Sequence, residues 1–445
     1  MGDPGAALHP KLLENDKLMK KKGACQTQGA GWSLSLAFII LPPDFTTREQ
    51  PMKITQIQTY LMHAGPPEAG GWAARNWLFV KVFTDEGIYG VGEASGWPRV
   101  VETAIRDLES LLVGEDPGDI ERLWHKMLVA MMGHGMTGVV GSGAMTGIEM
   151  ALWDIKGKAL GVPVWSLLGG KMRDRIRIYA HAHSAERARQ LVDRGYDAVK
   201  TGGLKNCVET VAAIREEVGP EVDLMVDVHG PPWLTTRDAI ALGRRLEEFD
   251  LLFYEDPVAP ENIEALARVS EAVDIPIAAG ERHATLYGVR ELIEREIIDV
   301  VQPDTGRAGG LLQMKKIAAM AEAHYITVAP HDGSLGPVAE MAAVHLLATL
   351  PNFLILEHLE DDVPQRYEVM TGQPRIEQSH ILVPDAPGLG VDLVEEAIAK
   401  YPSKGNISPP DPSYDYQYVW AQRNRAQWLS GEPTPPPGYR AGQVF

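Results

Sequence analysis

At 445 residues, with 45% hydrophobic and 23% charged side chains, the chain has the composition of an ordinary folded protein and the length for two or three domains. Asp+Glu 60 against Lys+Arg 42 leaves a formal charge of −18, which disfavours nucleic acid and anionic membrane as main partners and still allows an anionic substrate where a metal or local cations reverse the field. Cys25 and Cys207 supply no disulfide framework, so a reducing cytoplasm is the expected compartment.

The first residues differ from the rest. A basic stretch, "KLMKKK", and a short apolar run from Trp32 to Leu41 have the outline of a signal peptide. They lack a small-residue cleavage site, and the run is too short to span a bilayer. A disordered or mis-started leader over 1–51 is the expectation, a secretory signal the alternative. From Met52 the pattern is regular. "MKITQIQTYLM" alternates as a strand, and "NWLFVKVFTDEGIYGVGEA" reads as a hairpin turning at Asp85-Glu86-Gly87. Helical periodicity follows in "VETAIRDLESLLVG", in 119–131 and in "MTGIEMALWDIKGKALG", where Gly161 and Pro163 supply the stop. The spacing predicts a small α+β domain over 52–175.

Beyond Ile176, eight short β-rich runs alternate with amphipathic helices: "IRIYAHA", "AVKTG", "DLMVDVHG", "LLFYEDP", "PIAAGE", "DVVQPD", "ITVAPHD" and "FLILEHL". Such alternation forces right-handed crossovers in one direction and predicts a parallel α/β barrel over 176–360. The span is short for eight full units, so one outer helix should be reduced or missing. The segment 361–445 is expected to pack back on the small domain and to fray in "SGEPTPPPGYR".

Barrel active sites lie at the C-terminal strand ends. Here the runs end in Lys200, Asp227, Glu255, Glu281, Asp304, His331 and Glu357, each 23 to 28 residues from the next. Asp227, Glu255 and Glu281 are successive carboxylates. Two unit charges ~5 Å apart repel by roughly 3 kcal/mol at an effective dielectric near 20, so three converging acids need a cation or shared protons. A hard divalent ion with open positions, Mg²⁺ before Ca²⁺, fits that need. The neighbours Asp256 and Asp332 fall one position off the inward face and are read as caps. Asp304 and His331 end adjacent strands, where a carboxylate can orient the imidazole of a general base. His283, His345 and His358 are read as structural. In "LMVDVHG", Asp227 and His229 are two apart and so face the same way.

The motifs "ALWDIKGKALGVPVWSLLGG", "VDVHG", "YEDPV", "AAGER", "VQPDTGRAGG" and "APHDGSLGP" resemble the mandelate racemase and muconate lactonizing branch of the enolase superfamily, most nearly its acid-sugar (galactonate-type) dehydratases. The resemblance runs from about Met52 to Tyr401. It implies a modified (β/α)7β barrel with an α+β capping domain. It implies one Mg²⁺ per subunit on Asp227, Glu255 and Glu281, with His331 and Asp304 as the base dyad. Glu357 would be a protonated donor to the enolate oxygen, and His229 the acid that assists departure of the 3-hydroxyl.

In the racemase pattern the second strand ends Lys-x-Lys, but here "VKTGG" keeps Lys200 and has Gly202 at the second place. Loss of the second-face base favours one-base elimination. Lys200 is left to pair with a substrate carboxylate or to form a salt bridge at the mouth. Loops of the small domain, 64–76 and 95–100, are candidate lids, with Trp72, Arg75, Trp97 and Arg99, together with Arg282 of "AAGER", as candidate substrate contacts. The resulting expectation is Mg²⁺-dependent dehydration of a sugar acid to a 2-keto-3-deoxy acid. A sugar-lactone cycloisomerase, or a catalytically idle sugar-acid-binding or regulatory relative, is the alternative. The resemblance also implies a dimer-based homo-oligomer, up to an octamer.

Overall fold

The computed structural model describes residues 51–65, 75–132, 138–204, 206–229, 233–360 and 363–405. The expected leader, Trp72 and the Pro-rich tail lie outside the described residues.

An antiparallel sheet of β1 (Ile54–Ala64), β2 (Arg75–Thr84) and β3 (Tyr89–Ala94) opens the fold, in that order. Helix α1 (Pro98–Leu112) begins on a proline, which suits the first helical position. It buries Val101, Ile105, Leu108 and Leu112, one stripe at helical spacing. After α2 (Ile120–Met132) comes α3 (Gly138–Leu160), which starts well before the predicted Met145. The reason is that α3 is buried on nearly all sides from Gly141 to Ile155, so its first turns carry no amphipathic signal. It lies directly on β3. A Cβ at Gly90 or Gly92 would come within 2.0 Å of the Ala151 carbonyl oxygen or 2.1 Å of that of Gly147. Short α4 (Val164–Leu167) then leads into the barrel.

The barrel strands are β4 (Arg175–His181), β5 (Ala198–Gly202), β6 (Asp223–Asp227), β7 (Phe253–Glu255), β8 (Ile277–Ala279), β9 (Val300–Val301), β10 (Thr327–Val328) and β11 (Leu356–Glu357). Each pairs in parallel with the next as far as β10, β11 pairs with β4, and a Val328–Phe353 bridge completes the ring. Helices α5 (Ala185–Asp193), α6 (Cys207–Val218), α7 (Thr236–Leu246), α8 (Ile263–Ser270), α9 (Thr285–Glu294), α10 (Leu311–Ala323) and α11 (Pro337–Leu347) follow β4 to β10 in turn. Behind β11 stands only the four-residue α12 (Gln365–Glu368), so the reduced unit is the last. Tyr179, Ala198, Met225, Phe253, Ala278, Val300, Ala329 and Ile355, one from each strand or its continuation, fill the barrel interior.

The chain then returns through β12 (Met370–Thr371), β13 (Ile376–Glu377), β14 (His380–Leu382), β15 (Asp392–Leu393) and α13 (Glu395–Ile398). β14 lines the start of β4, while the last turns pack on the first sheet. There Lys81 of β2 is buried, pairs with Glu395 at 2.6 Å and lies over the Tyr89 ring. No helix of the described residues is long and apolar enough to cross a membrane.

Two buried glutamates of the N-terminal part bind the barrel behind its sixth and seventh strands. Glu149 of α3 accepts hydrogen bonds from Leu311 N at 2.8 Å and Leu312 N at 2.9 Å, capping α10. Glu93 of β3 accepts from Gly336 N and from Ala339 N, capping α11. Burial pushes both carboxyls up to about 7 from 4.5, although the backbone N–H groups pull the other way. A carboxyl raised in the folded state contributes stability that is full below its unfolded pKa and is lost as pH rises through the folded one. The thermal midpoint should therefore fall between pH 4.5 and about 7 in part because of these two groups. In a melting series across that window, the double variant Glu93→Gln/Glu149→Gln should show a shallower decline than the parent; an identical slope would contradict the assignment.

Candidate active site

Lys200 of β5 is 2% exposed and sits among acids: 2.9 Å from Glu255 Oε2, 3.0 Å from Glu357 Oε1 and 3.7 Å from Asp227 Oδ2. Burial pushes its pKa down, but the carboxylates around it outweigh that and hold the ammonium well above the usual lysine range. Of the two expectations for Lys200, the salt bridge is the one found, because its charge is taken by the protein's own acids and is not left for a substrate carboxylate. Glu357 also differs from expectation. Its Oε2 accepts from Asp332 N at 2.8 Å and Gly333 N at 2.7 Å, and its Oε1 meets His181 Nε2 at 2.8 Å. Burial raises this carboxyl, yet Lys200, His331 and His181 together hold it well below the usual carboxylate range. Glu357 stands here as an anion, not as a protonated donor.

Above this floor stand two histidines, each oriented by an aspartate. His331 Nδ1 meets Asp304 Oδ2 at 2.7 Å, and His229 Nδ1 meets Asp227 Oδ1 at 2.7 Å. Asp304 is itself held by Gly306 N at 2.9 Å and by Arg307 at 3.2 Å. The other nitrogen of His331, Nε2, lies 2.9 Å from Glu281 Oε2 and 3.8 Å from Glu357 Oε2. Burial lowers the pKa of His331, but Glu281, Glu357 and Asp304 override it and raise the ring well above the ordinary value. For His229, burial is likewise outweighed by Asp227, and the pKa is raised.

Asp227, His229 and Glu255 each offer a ligand atom within 4.8 Å of one another, a group that could hold a metal ion. The donor set expected from sequence had Glu281 in place of His229. Glu281 instead turns to His331 and to Arg282, 3.0 Å away, because two cationic neighbours compete for it. Burial has split the acids. Glu255 is pushed up to about 8 by desolvation and by Asp227, whereas Asp227 is held low by Lys200 and His229 in spite of its burial. Glu255 Oε1 is buried and has no hydrogen-bond partner among the described residues, an oxygen that suits a cation.

Residues 68–169 match the family model for the mandelate racemase/muconate lactonizing enzyme N-terminal domain, and 183–397 match the enolase C-terminal domain-like model. A D-xylonate dehydratase from Haloferax volcanii is 33% identical over 383 residues, 79% of this chain and 90% of that protein. The chain belongs to the enolase superfamily, in its mandelate racemase/muconate lactonizing branch. A D-galactonate dehydratase from Variovorax paradoxus is 35% identical over 81% of this chain and 96% of its own length. Among solved structures, a 3,6-anhydro-D-galactonate cycloisomerase from Zobellia galactanivorans superposes with a TM-score of 0.73 at 33% identity, covering 79% of this chain and all of the other.

In this superfamily member the strand ends converge on a pocket of about 320 Å³ lined by His181, His183, Lys200, Thr201, Gly202, Gly203, Asp227, His229, His331 and Glu357. Among the described residues, Arg75, Trp97, Arg99 and Arg282 are not part of that lining. Arg75 lies over Trp77, Trp97 and Arg99 are exposed at the start of α1, and Arg282 bridges Asp256 and Glu281 while stacking on Trp233. The capping expectation for Asp256 and Asp332 fails. Both are buried, Asp256 is paired with Arg282, and the following helices are capped from Asn262 and Gly336. His345 and His358 do bind only neighbouring protein groups, His345 the Leu389 carbonyl and His358 Glu340.

His181 and His183 escaped the sequence reading. They continue the first barrel strand as "YAHAHS", with the same two-residue spacing that singled out Asp227 and His229, and that spacing could have revealed them. At Gly202, a Cβ would stand 2.8 Å from the Asp227 carbonyl oxygen, so the missing second-face base is excluded by backbone packing as well as by residue choice. The charge balance of the floor is testable. Lys200→Met leaves Glu255 and Glu357 buried without their shared cation, and unfolding by denaturant should show a loss of roughly 3–5 kcal/mol, as for other broken buried pairs. A loss under about 1 kcal/mol, typical of exposed pairs, would contradict it.

Proposed function

We propose that this superfamily member is a hydro-lyase that removes water from a sugar acid, an aldonate or aldarate, to give a 2-keto-3-deoxy acid. The observation that carries the reading is the pair of aspartate-oriented histidines, His331 and His229, directed at one pocket that lacks a second base at Gly202. Its full-length dehydratase relatives support the same reaction class.

Once Glu281, the largest contributor to the raised pKa of His331, has left its Nε2, the ring can lose the proton there; with Nδ1 fixed by Asp304 it then presents Nε2 to the proton α to the substrate carboxylate. Breaking that C2–H bond leaves its electron pair in the substrate's enediolate. That pair then forms C2=C3 as the C3–O bond breaks, and His229, with Nδ1 on Asp227, gives a proton from Nε2 to the departing hydroxyl. Water leaves, and the enol product tautomerises to the 2-keto acid. Lys200 keeps Glu357 and Asp227 ionised beneath the substrate. Asp227 and Glu255, with Glu281 once it gives up His331, are the residues that would hold Mg²⁺; the unpartnered buried Glu255 Oε1 fits that role. When bound, Mg²⁺ supplies positive charge that replaces protons in the acid cluster and stabilises negative charge on the substrate carboxylate.

The cycloisomerase reading has one observation behind it, the likeness to the Zobellia galactanivorans structure. It shares the first proton abstraction and differs in the leaving group, so mass analysis of the product distinguishes loss of water from isomerisation.

Two outcomes test the proposal. EDTA should abolish turnover of an aldonate and Mg²⁺ should restore it and raise the melting temperature, with Glu255→Gln blunting both responses; full activity in chelated protein would sink the metal assignment. The histidines should separate by isotope. In D₂O, His331→Asn should lose both dehydration and α-proton exchange, whereas His229→Asn should lose dehydration and keep exchange. Equal loss of exchange in the two variants would refute the division of roles.

A further inference from the structure

The first barrel strand places Tyr179 in the interior and His181 against Glu357, and the bend that follows brings His183 to the pocket wall. His181 pairs in register with Lys200, and Ala182 N still donates to the Lys200 carbonyl at 2.9 Å. Gly202, the place where a second-face side chain is missing, lies two residues beyond Lys200 on β5 and lines the same pocket as His183. β4 ends at His181, and His183 follows in a bend, where it lines the same pocket as Lys200, Asp227, His229 and His331. His183 has no hydrogen bond or ion pair among the described residues, and its ring meets His181 edge-on with centroids 6.2 Å apart. Burial and the neighbouring His181 lower its pKa, with Asp227 opposing, so the imidazole is neutral near pH 7, one nitrogen donating and the other accepting.

The geometry points to His183 as a substrate-contacting, specificity-determining residue: its uncommitted imidazole binds a hydroxyl of the sugar acid in the pocket it shares with His331 and His229. The inference rests on the dehydratase reading above. Its chemistry follows from the site. His331 and His229 are each tied at Nδ1 to an aspartate, and Lys200 to three acids, which leaves His183 as a neutral group of the wall able to match a neutral hydroxyl. A polyol chain offers hydroxyls of differing configuration at successive carbons, and one fixed donor–acceptor pair accepts one configuration better than its epimer.

The experiment uses the Mg²⁺-supplemented protein and a panel of five- and six-carbon aldonates and aldarates that includes epimers at C3 and C4. Parent activity on at least one of them comes first. With that substrate, His183→Ala should raise KM roughly 2- to 10-fold, the range for loss of a neutral hydrogen bond, and should narrow the preference between epimers. Exchange of the α-proton with D₂O should persist, and His183→Asn should recover part of the discrimination. Unchanged KM and epimer ranking in His183→Ala would overturn the assignment while leaving the dehydratase reading intact. Loss of α-proton exchange in that variant would overturn it differently, by making His183 an acid–base group. If the parent dehydrates neither an aldonate nor an aldarate, the reaction reading falls and this inference falls with it.

Discussion

Lys200, buried against Glu255, Glu357 and Asp227, is the interaction on which the rest of the site depends. Parallel strands bring their C-terminal ends to one mouth, so acids on neighbouring ends are forced together in a region that water enters poorly. A single ammonium among them keeps Glu357 and Asp227 ionised, while Glu255, pressed by its neighbour and by burial, rises to about 8. The floor is thus neither a uniform anion cluster nor a neutral one. It presents distinct oxygens to a cation and leaves the histidines above it to do proton chemistry.

The histidines in turn depend on the N-terminal part of the chain. The loop carrying Asp304 is held by Ser95, whose N–H donates to Gly306 O at 2.8 Å, by Trp124 Nε1 donating to Gly309 O and by Thr146 Oγ1 accepting from Gly309 N. Glu149 and Glu93 then cap the helices that follow the Asp304 and His331 loops. A helix N-terminus offers free N–H donors and partial positive charge, so a buried glutamate there has its oxygens satisfied without a side-chain cation. The domains are joined on the side of the barrel that sets the direction of the Asp304–His331 pair.

The legible residues are those with local periodic signatures. The even spacing of Lys200, Asp227, Glu255, Glu281, Asp304, His331 and Glu357 reports the barrel, because each βα unit has nearly the same length. The two-residue step from Asp227 to His229 reports a shared face. His181 and His183 were overlooked because the first strand has no preceding unit against which to measure spacing, although their alternation carries the same information. The early turns of α3 were illegible because a helix buried all round shows no stripe.

From the sequence alone come the residue types at the strand ends, their order around the mouth and the absence of a side chain at position 202. Those are consequences of local periodicity, and local periodicity is written along the chain. Only the tertiary structure decided which charges meet. It gave Lys200 to the acids below the pocket, held the Glu357 carboxyl low through Lys200, His331 and His181, turned Glu281 to His331 and Arg282, and buried Asp256 against Arg282. The physical reason is that the protonation state and partner of a buried group follow from desolvation and from charges a few ångströms away, and these arrive from segments tens or hundreds of residues distant in the chain.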